Sequence, residues 1–183
     1  MKSRYISFEE WERAAELLDD KWAAIIYTGI YTGLRYSDLC QLTPRMILEP
    51  ADRVIELVEK KTTRPRAIKL HKKLIMKLRK LNLPLDKPIV PYKNAVTFNI
   101  MFKRRLFDIG IRKNMLTGVS SHSLRKSFAR RYFDMNGQTD AALFKLKEML
   151  GHSTVLHTKI YIDLLSEDIL DEYDSLNDDP DDE

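Results

Sequence analysis

One cysteine, Cys40, is all the chain carries in 183 residues, so no internal disulfide can form. Its apolar setting, DLCQL, reads as a buried thiol in a reducing compartment, and the cytoplasm is the expected location. No apolar run approaches the roughly 20 residues that a membrane span needs, and the N-terminal MKSRYISFEE lacks the apolar stretch of a secretory signal. No membrane partner is therefore expected. Metal ligands are scarce as well: Cys40 stands alone, and neither His71 nor His157 falls into a spacing such as H-E-x-x-H. No metal and no cofactor is expected. Internal repeats are missing, and low complexity is confined to the acidic end.

What is present suits one globular domain with a proper core, since 44% of the residues are apolar and 32% charged. The net charge of +4 hides an asymmetry: from Asp163 onward lie 11 of the 27 acidic residues and neither Lys nor Arg. The body up to Ile162 therefore holds 31 basic against 16 acidic residues, a net of +15. A body that basic expects a polyanion, with nucleic acid the commonest, although a solvated basic face without a partner has the same composition. Residues 1–165 are expected to form the domain and 166–183 an acidic tail, disordered from about Asp174, because so few apolar groups cannot offset chain entropy.

Ser7 followed by Glu10 is a capping-box signature, and Phe8, Trp11, Ala15 and Leu18 then recur at helical spacing. KWAAIIYTGIYT predicts a second helix closed by Gly33. RYSDLCQL predicts a short helix starting near Tyr36, with Pro44 as its end. RVIELVEKKTTRPRAIKL predicts a hairpin with Pro65 at an edge position. HKKLIMKLRKLN, NAVTFNIMFKRRLFDIG, SHSLRKSFARRYFDMNG and DAALFKLKEMLG predict four further helices, the last three stopped by Gly110, Gly137 and Gly151. STVLHTKIYIDLL begins another, with Ser153 as candidate N-cap. The expected class is mainly α with a small antiparallel β-hairpin.

Four places hold residues suited to chemistry. Arg35 and Asp38 lie three apart in TGLRYSDL, where the guanidinium could meet a phosphate while Asp38 orients it. An ordinary i,i+3 surface ion pair has the same spacing. His122 and Arg125 lie three apart at a helix start suited to an anion, or belong to a solvated basic helix with Lys126, Arg130 and Arg131. Lys60 and Lys61 fall near the hairpin tip, where most lysines are simply solvated. His152 precedes Tyr161 by nine residues. On one continuous helix nine residues turn about 900° and climb about 13 Å, which leaves the two side chains on opposite faces. They meet only if the chain bends, and Gly151 and Ser153 offer the bend.

Taken in order, T-G-L-R-x-S-D-L, a hairpin K-T, H-x-L-R, L-G-H-S and a tyrosine nine residues later resemble the tyrosine recombinase (phage integrase) family, from about Tyr5 to Leu164. The resemblance implies that family's catalytic-domain fold and a site-specific recombinase that cuts and rejoins double-stranded DNA through a 3′-phosphotyrosine. It implies Arg35 and Arg125 on the scissile phosphate, His122 and His152 completing the pocket, Asp38 supporting it, and Tyr161 as nucleophile. Lys61, directly before Thr62, matches the hairpin lysine best, with Lys60 the alternative. Lys60, Arg64, Lys126 and Arg130 are read as further DNA contacts. A tetramer on DNA and a monomer alone are expected. Members usually carry an N-terminal DNA-clamping domain, so the chain is expected to be either an excised domain or a short member resembling the fimbrial switch recombinases. Residues 162–173 are expected to form a short helix that docks on a neighbouring protomer or on its own domain. A type IB topoisomerase and a catalytically silent DNA-binding regulator are the alternative readings.

Overall fold

The computed structural model describes residues 3–61, 63–92 and 94–164. The expected acidic tail, and the docking helix beyond Leu164, lie outside the described residues. Among them the order is α1 (Phe8–Glu16), α2 (Asp20–Thr32), α3 (Tyr36–Leu39), α4 (Pro44–Leu48), β1 (Val54–Val58), β2 (Pro65–Lys69), α5 (Lys72–Leu78) and α6 (Ala95–Asp108). A 3-10 turn (Lys113–Leu116), α7 (Ser121–Met135), α8 (Asp140–Leu150) and α9 (Val155–Tyr161) follow. This is the mainly helical class with one hairpin that the sequence predicts. The chain divides into two compact units, Met1–Arg131 and Tyr132–Glu183.

In the first unit, α1 starts at the predicted capping box: Ser7 and Glu10 each accept the other's backbone N–H, at 3.2 Å and 2.9 Å. α2 is apolar nearly all round and correspondingly buried from Trp22 to Ile30. Trp11 stacks on Phe102 with ring centroids 5.5 Å apart, and Trp22 stacks on the same ring at 5.7 Å, so α1, α2 and α6 share one aromatic core. The buried Trp11 indole donates to Ser127 Oγ at 2.9 Å, which meets its polar requirement and ties α1 to α7.

β1 and β2 pair antiparallel from Val54 opposite Lys69 to Val58 opposite Pro65. Alternation buries Ile55 and Leu57 and exposes Glu56 and Val58. Pro65 opens β2, a position that asks no ladder hydrogen bond of its nitrogen. Two expectations need correction here. Pro44 opens α4 instead of ending the preceding helix: α3 stops at Leu39, and Thr43 caps α4 by accepting the Met46 N–H at 3.3 Å. Proline is tolerated at a first helical position because the N–H it lacks has no partner there. Cys40 is half-buried, although burial is still the first reason its thiol pKa is raised.

Gly33 ends α2 in the left-handed region, at φ 62°. A Cβ built there would lie 2.3 Å from Cδ1 and 2.8 Å from Cγ of Phe128, too near the root of that side chain for ring rotation to relieve. Gly33→Ala is expected to lower unfolding stability by about 2–4 kcal/mol, from backbone strain and overpacking together. Urea melts would show it as a shift in midpoint at unchanged slope.

In the second unit, Thr139 caps α8 by accepting the Ala142 N–H at 3.2 Å. Ala142, Leu143, Leu146 and Leu150 are its buried residues, at the spacing of one helical face. α9 is capped by Thr154, which accepts the His157 N–H at 3.2 Å, and not by Ser153 as expected. Either residue type caps well, and the geometry of the turn selects the later one.

Candidate active site

Two backbone events place the arginines of the first unit. After Gly33 the chain is extended at Arg35, which serves as the N-cap residue of α3. The Gly33 carbonyl accepts from Arg125 Nη1 at 2.8 Å, so an arginine from the first turns of α7 is held by the residue that ends α2. Arg125 is only 2% exposed. The Arg35 side chain thus leaves the backbone two residues from the carbonyl that holds the Arg125 guanidinium.

Arg35 does not take the carboxylate that spacing suggests. Its Nη1 meets Glu59 Oε2 at 3.1 Å, and Arg66 Nη1 meets Glu59 Oε1 at 2.7 Å. Asp38, fully buried, instead accepts the Lys60 backbone N–H at 3.0 Å. Gln41 Nε2 donates to the Val58 carbonyl at 3.1 Å. The region around α3 therefore grips the turn end of the hairpin at three points. The turn itself is closed by Glu59 N–H to the Arg64 carbonyl at 3.0 Å and Thr63 N–H to the Glu59 carbonyl at 2.8 Å. Lys60, Lys61 and Arg64 are exposed around it.

His122 stands in the first turn of α7, which is braced by side chains. Asn99 Oδ1 accepts the Ser121 N–H at 3.0 Å, and Ser120 Oγ accepts the His122 N–H at 3.3 Å. Although His122 is exposed overall, its imidazole pKa is lowered from the usual histidine value. Loss of solvation is the first cause, and repulsion from Arg125, Arg35 and Lys61 follows in that order. Three cations therefore lie near enough to disfavour a charge on this imidazole. Because the unfolded chain binds this proton more readily than the folded one, His122 makes stability rise with pH below the ordinary histidine value. His71, lowered mainly by burial, acts in the same direction. Urea melts at descending pH are expected to show this loss, with a shallower slope in His122→Asn. An unchanged slope in that variant would count against a neutral His122.

Lys126, read from sequence as a DNA contact, is buried, and its ammonium donates to the Ser3 carbonyl at 3.3 Å. That contact gives it an internal role, holding the N-terminal segment onto α7. Arg130 is half-buried.

The second unit brings His152 and Tyr161 together. Gly151 ends α8 in the left-handed region at φ 61°, and the His152 N–H returns to the Lys147 carbonyl at 3.0 Å. This six-to-one bond reverses the chain direction. His152 thus lies outside α9 and reaches back onto it: Nδ1 pairs with the buried Thr158 hydroxyl at 3.0 Å, and its ring meets Tyr161 edge-on with centroids 5.3 Å apart. Thr158 and Tyr161 are three apart and share a face of α9.

Three residues of this arrangement were not singled out from sequence. Glu59 and Arg66 had one available signal, since strand alternation carries Ile55, Leu57 and Glu59 to the same buried side. Thr158 had none beyond its distance from Tyr161. Among the described residues no three His, Cys, Asp or Glu side chains gather as metal ligands.

The sequence profile of the Phage integrase family matches residues 5–168. Tyrosine recombinase XerD of Chlamydia trachomatis serovar D is 29% identical over 158 residues, covering 82% of this chain and 51% of that protein. The chain thus spans about half the length of the curated relatives it matches. The catalytic domain of bacteriophage HP1 integrase superposes with a TM-score of 0.58 at 21% identity, over 96% of each chain. XerH site-specific recombinase, in a post-cleavage complex with its palindromic difH substrate, gives 0.63 at 20% identity, over 96% of this chain and 54% of that one. At such identities the structural likeness establishes the fold.

Proposed function

The chain belongs to the phage integrase family, and from that premise we propose that it is a site-specific DNA recombinase with Tyr161 as nucleophile. The observation that carries the reading is that the Gly33 carbonyl holds Arg125 two positions from Arg35, with both arginines and Lys61 near enough to His122 to disfavour its charge. A tyrosine hydroxyl, with an ordinary pKa of about 10, attacks poorly at neutral pH without proton removal or a positive neighbourhood. Two guanidinium groups supply that field and stabilise charge developing on the non-bridging phosphate oxygens.

In the first step Tyr161 Oη attacks phosphorus and forms a 3′-phosphotyrosine, while the bond to the 5′-oxygen breaks. Lys61 gives its proton to that oxygen, and His122, neutral at rest, assists proton transfer. In the second step a 5′-hydroxyl from the partner strand attacks the phosphotyrosine and releases the tyrosine. The energy of the phosphodiester is kept in the covalent link, so no nucleotide is consumed. His152 packs against the ring of Tyr161 and sets its approach.

Residues 1–165 act as the catalytic domain and 166–183 as an acidic tail. Lys60, Arg64 and Arg130 contribute phosphate contacts, and binding is strongly salt-dependent. A monomer in solution assembles into a tetramer on double-stranded DNA. No helix among the described residues is long and apolar enough to cross a membrane.

The test is a nicked suicide DNA carrying the native site, from which the released fragment cannot re-ligate. A denaturant-resistant adduct is expected, with the DNA joined by its 3′ phosphate to the tryptic peptide that contains Tyr161. Linkage through a 5′ phosphate, or to another residue, would overturn the assignment.

A further inference from the structure

Glu59 is 5% exposed and carries an ion pair on each carboxylate oxygen, Arg35 on one and Arg66 on the other. A carboxylate so far from water persists only when paired, and the double pairing meets that requirement. Two guanidinium groups against one carboxylate leave a net positive charge, so the field of Arg35 is tempered and not cancelled.

The same residue makes both backbone bonds that close the turn, to Arg64 and from Thr63. Lys61 follows two positions later. Its backbone is therefore referenced to Arg35 through the side chain of Glu59, and to α3 through the Lys60 N–H on Asp38. A lysine on a two-stranded hairpin would otherwise swing with the hairpin, and proton transfer demands placement within hydrogen-bond reach.

We propose that Glu59 is a positioning residue: by anchoring the hairpin turn to Arg35, it holds Lys61 where its ammonium protonates the departing 5′-oxygen. Arg66 is the counter-charge that lets this buried carboxylate serve Arg35 without neutralising it. The inference rests on the reading of Lys61 as general acid.

The experiment exploits the leaving atom. A thiol, with a pKa of about 8.5, departs as thiolate without a proton, whereas an alkoxide needs one. Suicide DNA with either oxygen or sulfur at the scissile 5′ position therefore separates a defect in proton donation from one in phosphate binding. Lys61→Ala is expected to cleave the oxygen substrate about 10²–10⁴-fold more slowly and the sulfur substrate at nearly the wild-type rate. Glu59→Ala is expected to lose about 10–100-fold on oxygen and no more than about threefold on sulfur, a fraction of the lysine's own contribution. Arg35→Ala loses rate on both.

Equal losses of Glu59→Ala on both substrates, or no loss on oxygen, would overturn the proposal. If sulfur fails to rescue Lys61→Ala, it is the reading of Lys61 that falls. Glu59→Gln keeps the volume and one acceptor oxygen. It serves where the alanine variant melts too early, and the same ratio of oxygen to sulfur rates decides the outcome. A structural defect alone would lower both rates together.

Discussion

Tyr161→Phe is expected to form no covalent adduct with suicide DNA, a loss of at least ~10⁴-fold in cleavage rate. The substitution removes the oxygen proposed to attack and keeps the ring. The edge-on contact with His152 depends on the ring and survives. Stability should change by about 1 kcal/mol or less, the scale of one hydroxyl's net hydrogen bonding. DNA retention in a gel shift should match the wild type, because the proposed phosphate contacts come from other residues. Those three readings together separate a lost nucleophile from a lost fold. An adduct that persists in this variant at a comparable rate would falsify the assignment of Tyr161.

Arg125→Ala is expected to be the next most damaging change, with cleavage falling about 10³-fold, the scale of losing one preorganised charged donor to the developing phosphate charge. Stability responds to two opposed effects. Losing a charged hydrogen bond to the Gly33 carbonyl costs about 1.5–3 kcal/mol. Removing one cation from the neighbourhood of Arg35 and Lys61 relieves like-charge repulsion, which solvent around the exposed Lys61 keeps small. The hydrogen bond wins, and a net loss of about 1–2 kcal/mol is expected in urea melts. The removal of that cation has a second signature: the His122 pKa should rise toward the ordinary value, visible in histidine proton titration by NMR. Arg125→Lys keeps the charge and loses the planar fork, so its His122 titration should resemble the wild type while cleavage remains low.

Much of the local architecture was legible because it is settled by near neighbours. The capping box at Ser7 and Glu10, the left-handed stops at Gly33 and Gly151, and the hairpin around Lys60 and Lys61 all follow from side chains within a few positions of the backbone they control. Where two local solutions were equally good, sequence reading chose wrongly. Pro44 can end one helix or begin the next, and Ser153 and Thr154 cap equally well by residue type.

The partners of the charged groups were not legible in this way. Arg35 had Asp38 at an inviting i,i+3 spacing, yet its carboxylate is Glu59, 24 positions away, just past the end of β1. Lys126 looked like a phosphate contact, but packing of α7 turned it inward to Ser3. Both outcomes depend on which helix face is covered, and that is decided by elements distant in the chain.

The sequence by itself determined the helical class, the helix ends and the candidate reactive residues with their order and spacing, because propensity, capping and periodicity act over a few residues. Only the tertiary structure decided that a nine-residue gap becomes a reversal at Gly151 with His152 against Tyr161, and that the hairpin turn is tied to Arg35 through Glu59. Those contacts are choices among many partners of suitable charge, and burial settles them: a carboxylate or guanidinium shut away from water must pair with whatever the fold has placed beside it.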